Sequence, residues 1–216
     1  MLVSGAKQPL RGTVTVPGDK SISHRVVMLG AIADGVTEAT GFLPSEDALS
    51  TIRCFRQMGV EIEQQDTQVR IAGVGLHGLK APLADLDAGN SGTTMRLLAG
   101  LLSGQVFGVT ITGDASLCKR PMRRVADPLK KMGADIHLQE NGCAPLHICP
   151  VAKLHCLAYD MPVASAQVKS ALLLAGLYAD EPVLVRETVP SRDHSETLLS
   201  AFGAPLTVEQ GGIRLV

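Results

Sequence analysis

The chain has no tryptophan and two tyrosines among 216 residues, and its cysteines number five. Because proteins hold single-stranded nucleic acid largely by stacking bases on aromatic side chains, this shortage argues against nucleic acid as a partner. An odd number of irregularly spaced cysteines is untypical of a disulfide framework and fits free thiols in a reducing compartment. We therefore expect a cytoplasmic protein.

Long apolar runs and an excess of charge of one sign are also missing. No stretch is apolar enough to span a bilayer or to form the hydrophobic region of a secretory signal, so no membrane partner is expected. The formal net charge is −1, and any anion-binding site must therefore be local. A hydrophobic content of 45%, with 22 glycines and 12 prolines, is typical of a soluble α/β protein with many turns.

One order of helix, strand and turn signals occurs three times along the chain. Each copy has a small-residue-rich apolar helix, a strand, an amphipathic helix that ends at a glycine, and a hairpin. The serines at the starts of the apolar helices are spaced 70 and 74 residues apart, and the glycines after the amphipathic helices 74 and 70 apart. This self-similarity predicts three βαβαββ units, at about residues 14–80, 81–150 and 151–216. The landmark residues are Ser21, Ser91, Ser165, Gly59, Gly133 and Gly203.

The two kinds of helix predict how the units pack. An all-apolar helix must be buried on every side, whereas an amphipathic helix or a sheet can face water on one side. We therefore predict an α/β fold with three units around a pseudo-threefold axis, apolar helices inside and sheets outside. The starts of the inner helices would meet at one end, and their unpaired N–H groups and dipoles predict an anion site there.

The first of these helix starts, in VPGDKSISHR, carries the most charge. Val14 and Val16 predict the end of a strand, followed by a turn and the helix. Lys20 and Arg25 place two permanent cations beside the hydroxyl of Ser21, a combination that suits a phosphate or carboxylate ligand. The alternative is an ordinary helix N-cap by Ser21 with two solvated cations.

Two further patterns resemble ligand sites without meeting their requirements. Residues 73–78, GVGLHG, match G-x-G-x-x-G, but no helical period follows, so the segment predicts a hairpin and loop rather than a dinucleotide site. Cysteines and histidines cluster over residues 143–156 without the paired spacing of zinc sites. Core packing of His147 and Cys149 is the preferred interpretation, and no metal is predicted.

Five motifs follow one another along nearly the whole chain: VPGDKSISHR, AGNSGTTMRLL, GDASLCKRPM, ASAQVKSALLLAGL and SRDHSE. Together they resemble the 5-enolpyruvylshikimate-3-phosphate (EPSP) synthase family, or 3-phosphoshikimate 1-carboxyvinyltransferases. The residues within the NSGTTMR and SAQVKSA segments resemble those of its glyphosate-tolerant class II branch. The resemblance implies the inside-out α/β barrel of the enolpyruvyl transferases. It implies transfer of the enolpyruvyl group of phosphoenolpyruvate to the 5-hydroxyl of 3-phosphoshikimate, with release of phosphate, in the shikimate pathway. It implies no metal or organic cofactor, and glyphosate as a possible inhibitor.

The resemblance also assigns roles to individual residues, with Lys20 touching both substrates and acting in catalysis. It places 3-phosphoshikimate against Lys20, Ser21, Arg25, Ser165, Ala166, Gln167, Ser191 and Arg192. It places phosphoenolpyruvate, or glyphosate, against Lys20, Asn90, Gly92, Thr93, Arg120 and Gln167. Class I members have a serine at the position of Ala166, which here is expected to act through its backbone.

The resemblance further implies a second domain as partner. Family members are about twice as long, and they take from that domain the acid for the enolpyruvyl methylene and the base for the hydroxyl. Residues 1–13 would be a strand that packs with that domain, and residues 14–216 would form the substrate-binding domain. The chain alone is expected to bind substrate weakly without turnover.

Two alternatives remain open from the sequence. A non-catalytic anion-binding module of the same fold would keep the helix starts without the reaction. A UDP-N-acetylglucosamine enolpyruvyl transferase-like enzyme is disfavoured, because its reactive cysteine loop has no counterpart near Cys118. The RNA 3′-phosphate cyclases share the repeat unit but not the five motifs.

Overall fold

The computed structural model describes Gly5, Pro9, residues 11–209 and residues 211–216. The helices are α1 (Lys20–Ile32), α2 (Glu46–Gln57), α3 (Gly92–Leu102), α4 (Arg123–Lys131), α5 (Ala166–Gly176) and α6 (His194–Ala201), with a 3-10 turn at Leu117–Lys119. The strands are β1 (Asp34–Thr40), β2 (Glu61–Gln65), β3 (Gln68–Val74), β4 (Leu86–Asp87), β5 (Val109–Thr112), β6 (Asp135–His137), β7 (Leu146–Cys149), β8 (Leu157–Met161), β9 (Val183–Glu187), β10 (Leu206–Glu209) and β11 (Gly212–Leu215).

The three units have their own sheets, and these sheets share one strand order. The order is β4-β5-β7-β6 in the second unit and β8-β9-β11-β10 in the third. In both sheets the first strand runs parallel to its neighbour, and the other pairs are antiparallel. The first unit has β1-β3-β2, which is the same order without the leading strand. This agreement confirms three copies of one unit.

The leading strand predicted at Val14 and Val16 is wrong. Both residues lie outside any strand, and they are 84% and 76% exposed. Alternating threonine and valine favour an extended strand, but a strand needs a neighbour for its hydrogen bonds, and no described residue pairs with this one. The packing of residues 1–13 with a second domain stays a prediction, and most of those residues lie outside the described part of the chain.

The apolar helices α1, α3 and α5 lie inside, as predicted, and most of their residues are buried. Their small side chains let α3 and α5 approach closely. A Cβ atom on Gly100 would lie 2.1 Å from the carbonyl oxygen of Ala171, so this crossing accepts only glycine. The amphipathic helices α2, α4 and α6 pack between and beside the inner helices, each with one buried face.

The sheets form the outer layer. Buried Ile62, Ile136 and Ile148 alternate with more exposed neighbours on β2, β6 and β7, which is the pattern of a sheet with one solvent face. The predicted fold class is thus confirmed. His147 lies on the exposed face and not in the core, because Leu146 and Ile148 occupy the core side of β7.

The glycine-rich segment at residues 73–78 is the end of β3 followed by a turn, as the sequence predicts. All five cysteines are free thiols. Within the described ranges, every helix is too short or too polar to cross a membrane.

Candidate functional site

Each inner helix begins at a polar residue whose side chain accepts a hydrogen bond from the backbone of the first turn. The acceptors are Asp19 for α1 (2.8 Å), Ser91 for α3 (3.1 Å) and Ser165 for α5 (3.4 Å). Equivalent caps at equivalent places leave the remaining N–H groups of each start free for a ligand. The N-cap of α1 is therefore Asp19, and the alternative that Ser21 caps this helix is wrong.

Lys20, the first residue of α1, lies at the surface. Its Nζ atom is 2.7 Å from Oδ2 of Asp47 on α2, and the two side chains are 49% and 26% exposed. An ion pair this exposed stabilises the fold little. The ammonium can therefore exchange the carboxylate for an anionic ligand without destabilising the domain.

The starts of α3 and α5 are joined by the carboxamide of Gln167. Its Oε1 atom accepts a hydrogen bond from Nη1 of Arg96 at 2.8 Å, and its Nε2 atom donates to the hydroxyl of Thr93 at 3.1 Å. Burial, together with the positive charges of Arg124 and Arg120, lowers the pKa of Arg96. A bound anion would relieve this repulsion between cations.

Arg120 enters the same place from the 3-10 turn. It donates to the side-chain oxygen of Asn90, whose amide nitrogen in turn donates to Oδ2 of Asp114 at 2.6 Å. Gly92 lies beneath both guanidinium groups, since a Cβ atom there would be 2.8 Å from Nη1 of Arg96 and 3.3 Å from Nη1 of Arg120. The structure thus brings together all the residues predicted for phosphoenolpyruvate, apart from Lys20. We call Asn90, Gly92, Thr93, Arg96, Arg120 and Gln167 the arginine cluster.

Arg25 is held by the protein itself. It is 5% exposed, and its nitrogens donate to Ser195 (2.6 Å), to the backbone oxygen of Ser21 (2.9 Å) and to Ser170 (2.7 Å). Burial lowers its pKa. These contacts tie α1 to α5 and α6, and the expected contact of Arg25 with 3-phosphoshikimate stays a prediction.

Ser191 and Arg192 lie in the loop of residues 188–193, which joins β9 to α6. The exposed Arg192 donates to the hydroxyl of Ser21 at 3.3 Å, which brings its guanidinium to the start of α1. The backbone N–H of Ser191 donates to the carboxylate of Glu187 at 3.4 Å. The loop therefore contacts the start of α1 through Arg192.

Sequence reasoning did not single out two buried networks behind these residues. Nζ of Lys169 lies 2.6 Å from Oε2 of Glu187 and 2.5 Å from Oε1 of Glu196. His24 bonds to Thr51 (2.7 Å), whose hydroxyl is 2.8 Å from that of Thr94. Lys169 and Glu196 fall inside two of the motifs, and a charge within a buried helix was the available signal.

Other concave or donor-rich places lie apart from the helix starts. A cleft of about 790 Å³ is lined by Ile32, Leu177 and Phe202, at the opposite ends of α1 and α5, and contains none of the predicted residues. Asp135, His137 and Cys149 hold donor atoms within 4.8 Å of one another on β6 and β7. Neither place includes a residue of the arginine cluster.

Comparison with known proteins matches the family model "EPSP synthase (3-phosphoshikimate 1-carboxyvinyltransferase)" to residues 5–215. A 3-phosphoshikimate 1-carboxyvinyltransferase of Methylococcus capsulatus is 58% identical over 207 residues, and one of Alkaliphilus metalliredigens is 54% identical over 216. These alignments cover 95% and 100% of this chain, but 47% and 51% of the relatives.

The solved structure of an EPSP synthase from Acinetobacter baumannii is similar as well. It is 55% identical, with a TM-score of 0.92, over 95% of this chain and 46% of the other. The chain thus spans about half the length of the relatives that it matches.

Proposed function

The chain belongs to the EPSP synthase family, and we propose that its helix starts bind 3-phosphoshikimate and phosphoenolpyruvate for enolpyruvyl transfer. In this reaction the 5-hydroxyl oxygen of 3-phosphoshikimate forms a bond to the enolpyruvyl carbon that carries the phosphate. The bond from that carbon to the phosphate oxygen breaks, and inorganic phosphate leaves.

The observation that carries the proposal is the arginine cluster. Arg96 and Arg120 meet over Gly92 at the start of α3, and Gln167 joins them to the start of α5. Phosphate and carboxylate groups bind best where guanidinium forks and helix N-termini converge. Phosphoenolpyruvate carries both groups on three carbons, so a compact cluster of this kind suits it.

The second substrate would lie between α5 and α1. Ser165, the backbone of Ala166 and Gln167 would hold the ring, and Ser21, Ser191 and Arg192 would approach it from the side of α1. The contact between Arg192 and Ser21, at 3.3 Å, supports a shared place for these groups. Lys20 would leave Asp47 and bind both anions, at the junction of the two substrates.

In this scheme the residues of this chain bind the substrates, and another part of the enzyme transfers the protons. The chemistry needs an acid for the methylene and a base for the hydroxyl. We assign both to the second domain of the family, and we expect this chain alone to bind without turnover. Glyphosate is proposed to compete for the cluster around Gly92. A cytoplasmic location is part of the proposal, supported by the five free thiols.

The test has a binding arm and an activity arm. Calorimetry with 3-phosphoshikimate on the chain should give saturable binding that Gln167→Ala weakens. The chain is then mixed with the C-terminal half of the Methylococcus capsulatus relative, and release of phosphate from phosphoenolpyruvate is followed. We call this mixture the complemented enzyme. Turnover by the mixture but by neither half alone is the expected result.

The alternative function, a non-catalytic anion-binding module, makes a different prediction. It requires that the chain bind anions such as inorganic phosphate as well as it binds 3-phosphoshikimate. It also requires that the mixture stay inactive. Failure of 3-phosphoshikimate to bind at millimolar concentration would overturn the proposed function.

A further inference from the structure

Lys169 is a buried cation whose surroundings the proposed reaction does not use. The residue is 1% exposed, near the start of α5, and its ammonium contacts two carboxylates at 2.6 and 2.5 Å. Charges this deep are tolerated only when they are paired, and replacing such a group with apolar residues is often neutral for stability. Stability therefore does not explain why Lys169 and its two carboxylates are buried here.

The two carboxylates bracket the loop that carries Ser191 and Arg192. Glu187 is the last residue of β9, and Glu196 lies in the first turn of α6. One ammonium thus holds both ends of the loop. The Glu187 carboxylate also accepts the N–H of Ser191 at 3.4 Å, which fixes the middle of the loop to the same charge group.

Lys169 also connects this loop to the start of α5, which faces the same proposed ligand. It lies one helical turn after Ser165 on α5, on the helix that presents Gln167 to the arginine cluster. A shift of the loop relative to α5 would change the separation between Arg192 and the start of that helix. Because guanidinium groups bind phosphate through directed hydrogen bonds, a small displacement weakens them.

We propose that Lys169, through Glu187 and Glu196, is a positioning residue that holds Arg192 and Ser191 in place for the phosphate of 3-phosphoshikimate. This inference rests on the proposed function for its ligand, and on the described contacts for its geometry. Lys169 itself touches no substrate in this scheme. Its loss should act selectively on the phosphate group and leave recognition of the ring intact.

The test needs a variant that keeps the fold. Lys169→Met alone leaves two buried carboxylates without a counter-charge and is expected to unfold the domain. The informative variant is the neutral triple substitution Lys169→Met, Glu187→Gln and Glu196→Gln. Its matched control removes the exposed ion pair of Arg186 and Asp160 on the same sheet, as Arg186→Met with Asp160→Asn.

Two measurements on the chain decide the matter. Amide hydrogen exchange over residues 188–193 should accelerate about tenfold or more in the triple variant, while exchange in β1–β3 stays unchanged. Calorimetry should show about tenfold weaker binding of 3-phosphoshikimate and, within twofold, unchanged binding of shikimate, which lacks the phosphate. Adding Arg192→Ala to the triple variant should weaken the binding of 3-phosphoshikimate little further, because both changes act through the same guanidinium.

The outcomes separate the two proposals. Unchanged exchange in a folded triple variant would overturn the positioning role, and so would equal weakening of both ligands. If the unmodified chain binds no 3-phosphoshikimate, the proposed function fails, and the exchange comparison still decides whether Lys169 holds the loop. Equally fast exchange in the control variant would show that any lost ion pair loosens this sheet, and this outcome would also overturn the positioning role of Lys169.

Discussion

Arg96 donates a hydrogen bond to the Oε1 atom of Gln167 at 2.8 Å, and this bond joins the starts of α3 and α5. The partner is neutral, so the guanidinium is held in place while its positive charge stays available. A carboxylate at position 167 would orient Arg96 equally well and cancel its charge. The choice of glutamine thus favours ligand binding over internal pairing.

Gln167→Glu separates these two effects. We expect the free energy of unfolding to stay the same or rise by up to ~1 kcal/mol, because the new ion pair is partly buried. The affinity for 3-phosphoshikimate should fall at least about tenfold, since a negative charge enters an anion site. Urea unfolding and calorimetry on the same sample measure both quantities. Gln65→Glu on the exposed end of β2 is the charge-matched control, and an equal loss of affinity there would contradict the assignment.

Gly92→Ala tests the space beneath the two guanidinium groups. The added methyl would lie 2.8 Å from Nη1 of Arg96, so that flexible side chain must move while the backbone stays. We expect little change in stability and about a tenfold higher KM for phosphoenolpyruvate in the complemented enzyme, which is ~1.4 kcal/mol. Gly108→Ala, whose Cβ atom would meet its nearest neighbour at 3.7 Å, serves as the control.

Lys20→Met should abolish turnover of the complemented enzyme and leave the fold intact. The reason is that its ion pair with Asp47 is exposed and contributes little to stability, whereas both substrates need the ammonium. Circular dichroism checks the fold, and phosphate release checks the activity. Near-native turnover would show that the start of α1 is not part of the site.

Asp19→Ala and Ser21→Ala should differ although they lie two residues apart. Asp19 accepts the hydrogen bond of the Ile22 N–H, which lowers its pKa, so its loss should cost about 1 kcal/mol of stability. Ser21→Ala should change stability by less than about 0.5 kcal/mol, because its hydroxyl contacts the exposed Arg192. Ser21→Ala should instead weaken 3-phosphoshikimate binding. If Ser21→Ala lowered the urea midpoint more than Asp19→Ala, the N-cap of α1 would be Ser21 and not Asp19.

We expect His24 to make the stability of the domain depend on pH. Burial lowers its pKa from 6.5 to about 4, so it stays neutral in the fold. Above pH 6.5 neither state binds the proton. As the pH falls from 6.5 towards 4, the unfolded chain binds it and the folded chain does not, so stability falls and then levels off below the folded pKa. The loss between pH 7 and pH 5 should be ~2 kcal/mol.

The matched variant is His24→Asn, which can keep a hydrogen bond to Thr51 without titrating. Its urea midpoint should fall less between pH 7 and pH 5 than that of the unmodified chain. Parallel falls in the two proteins would assign the acid sensitivity to other groups.

The helices and the repeat could be predicted because they depend on patterns that recur within each unit. The apolar stretches of α3 and α5 can be stable only when buried, and glycines mark where the amphipathic helices end. The strand predicted at Val14 could not be judged in the same way. Strand formation depends on a partner from elsewhere in the chain, and local sequence does not name that partner.

The cap of α1 and the exposure of His147 are two further features that local sequence could not predict. Asp19 and Ser21 both suit an N-cap, and only the backbone geometry decides between them. For His147, alternation predicts that it shares a face with Cys149, but not which face of β7 meets the core.

The sequence by itself determined that three equivalent helix starts, rich in cations and hydroxyls, would exist. Helical periodicity and capping are local, and they repeat with the unit. Only the tertiary structure decided which charges stay free. It pairs Lys169 with Glu187 and Glu196, and buries Arg25 among serines, because residues far apart in the chain meet when the inner helices pack. It leaves Arg96 and Arg120 over Gly92, with neutral partners and their charge available.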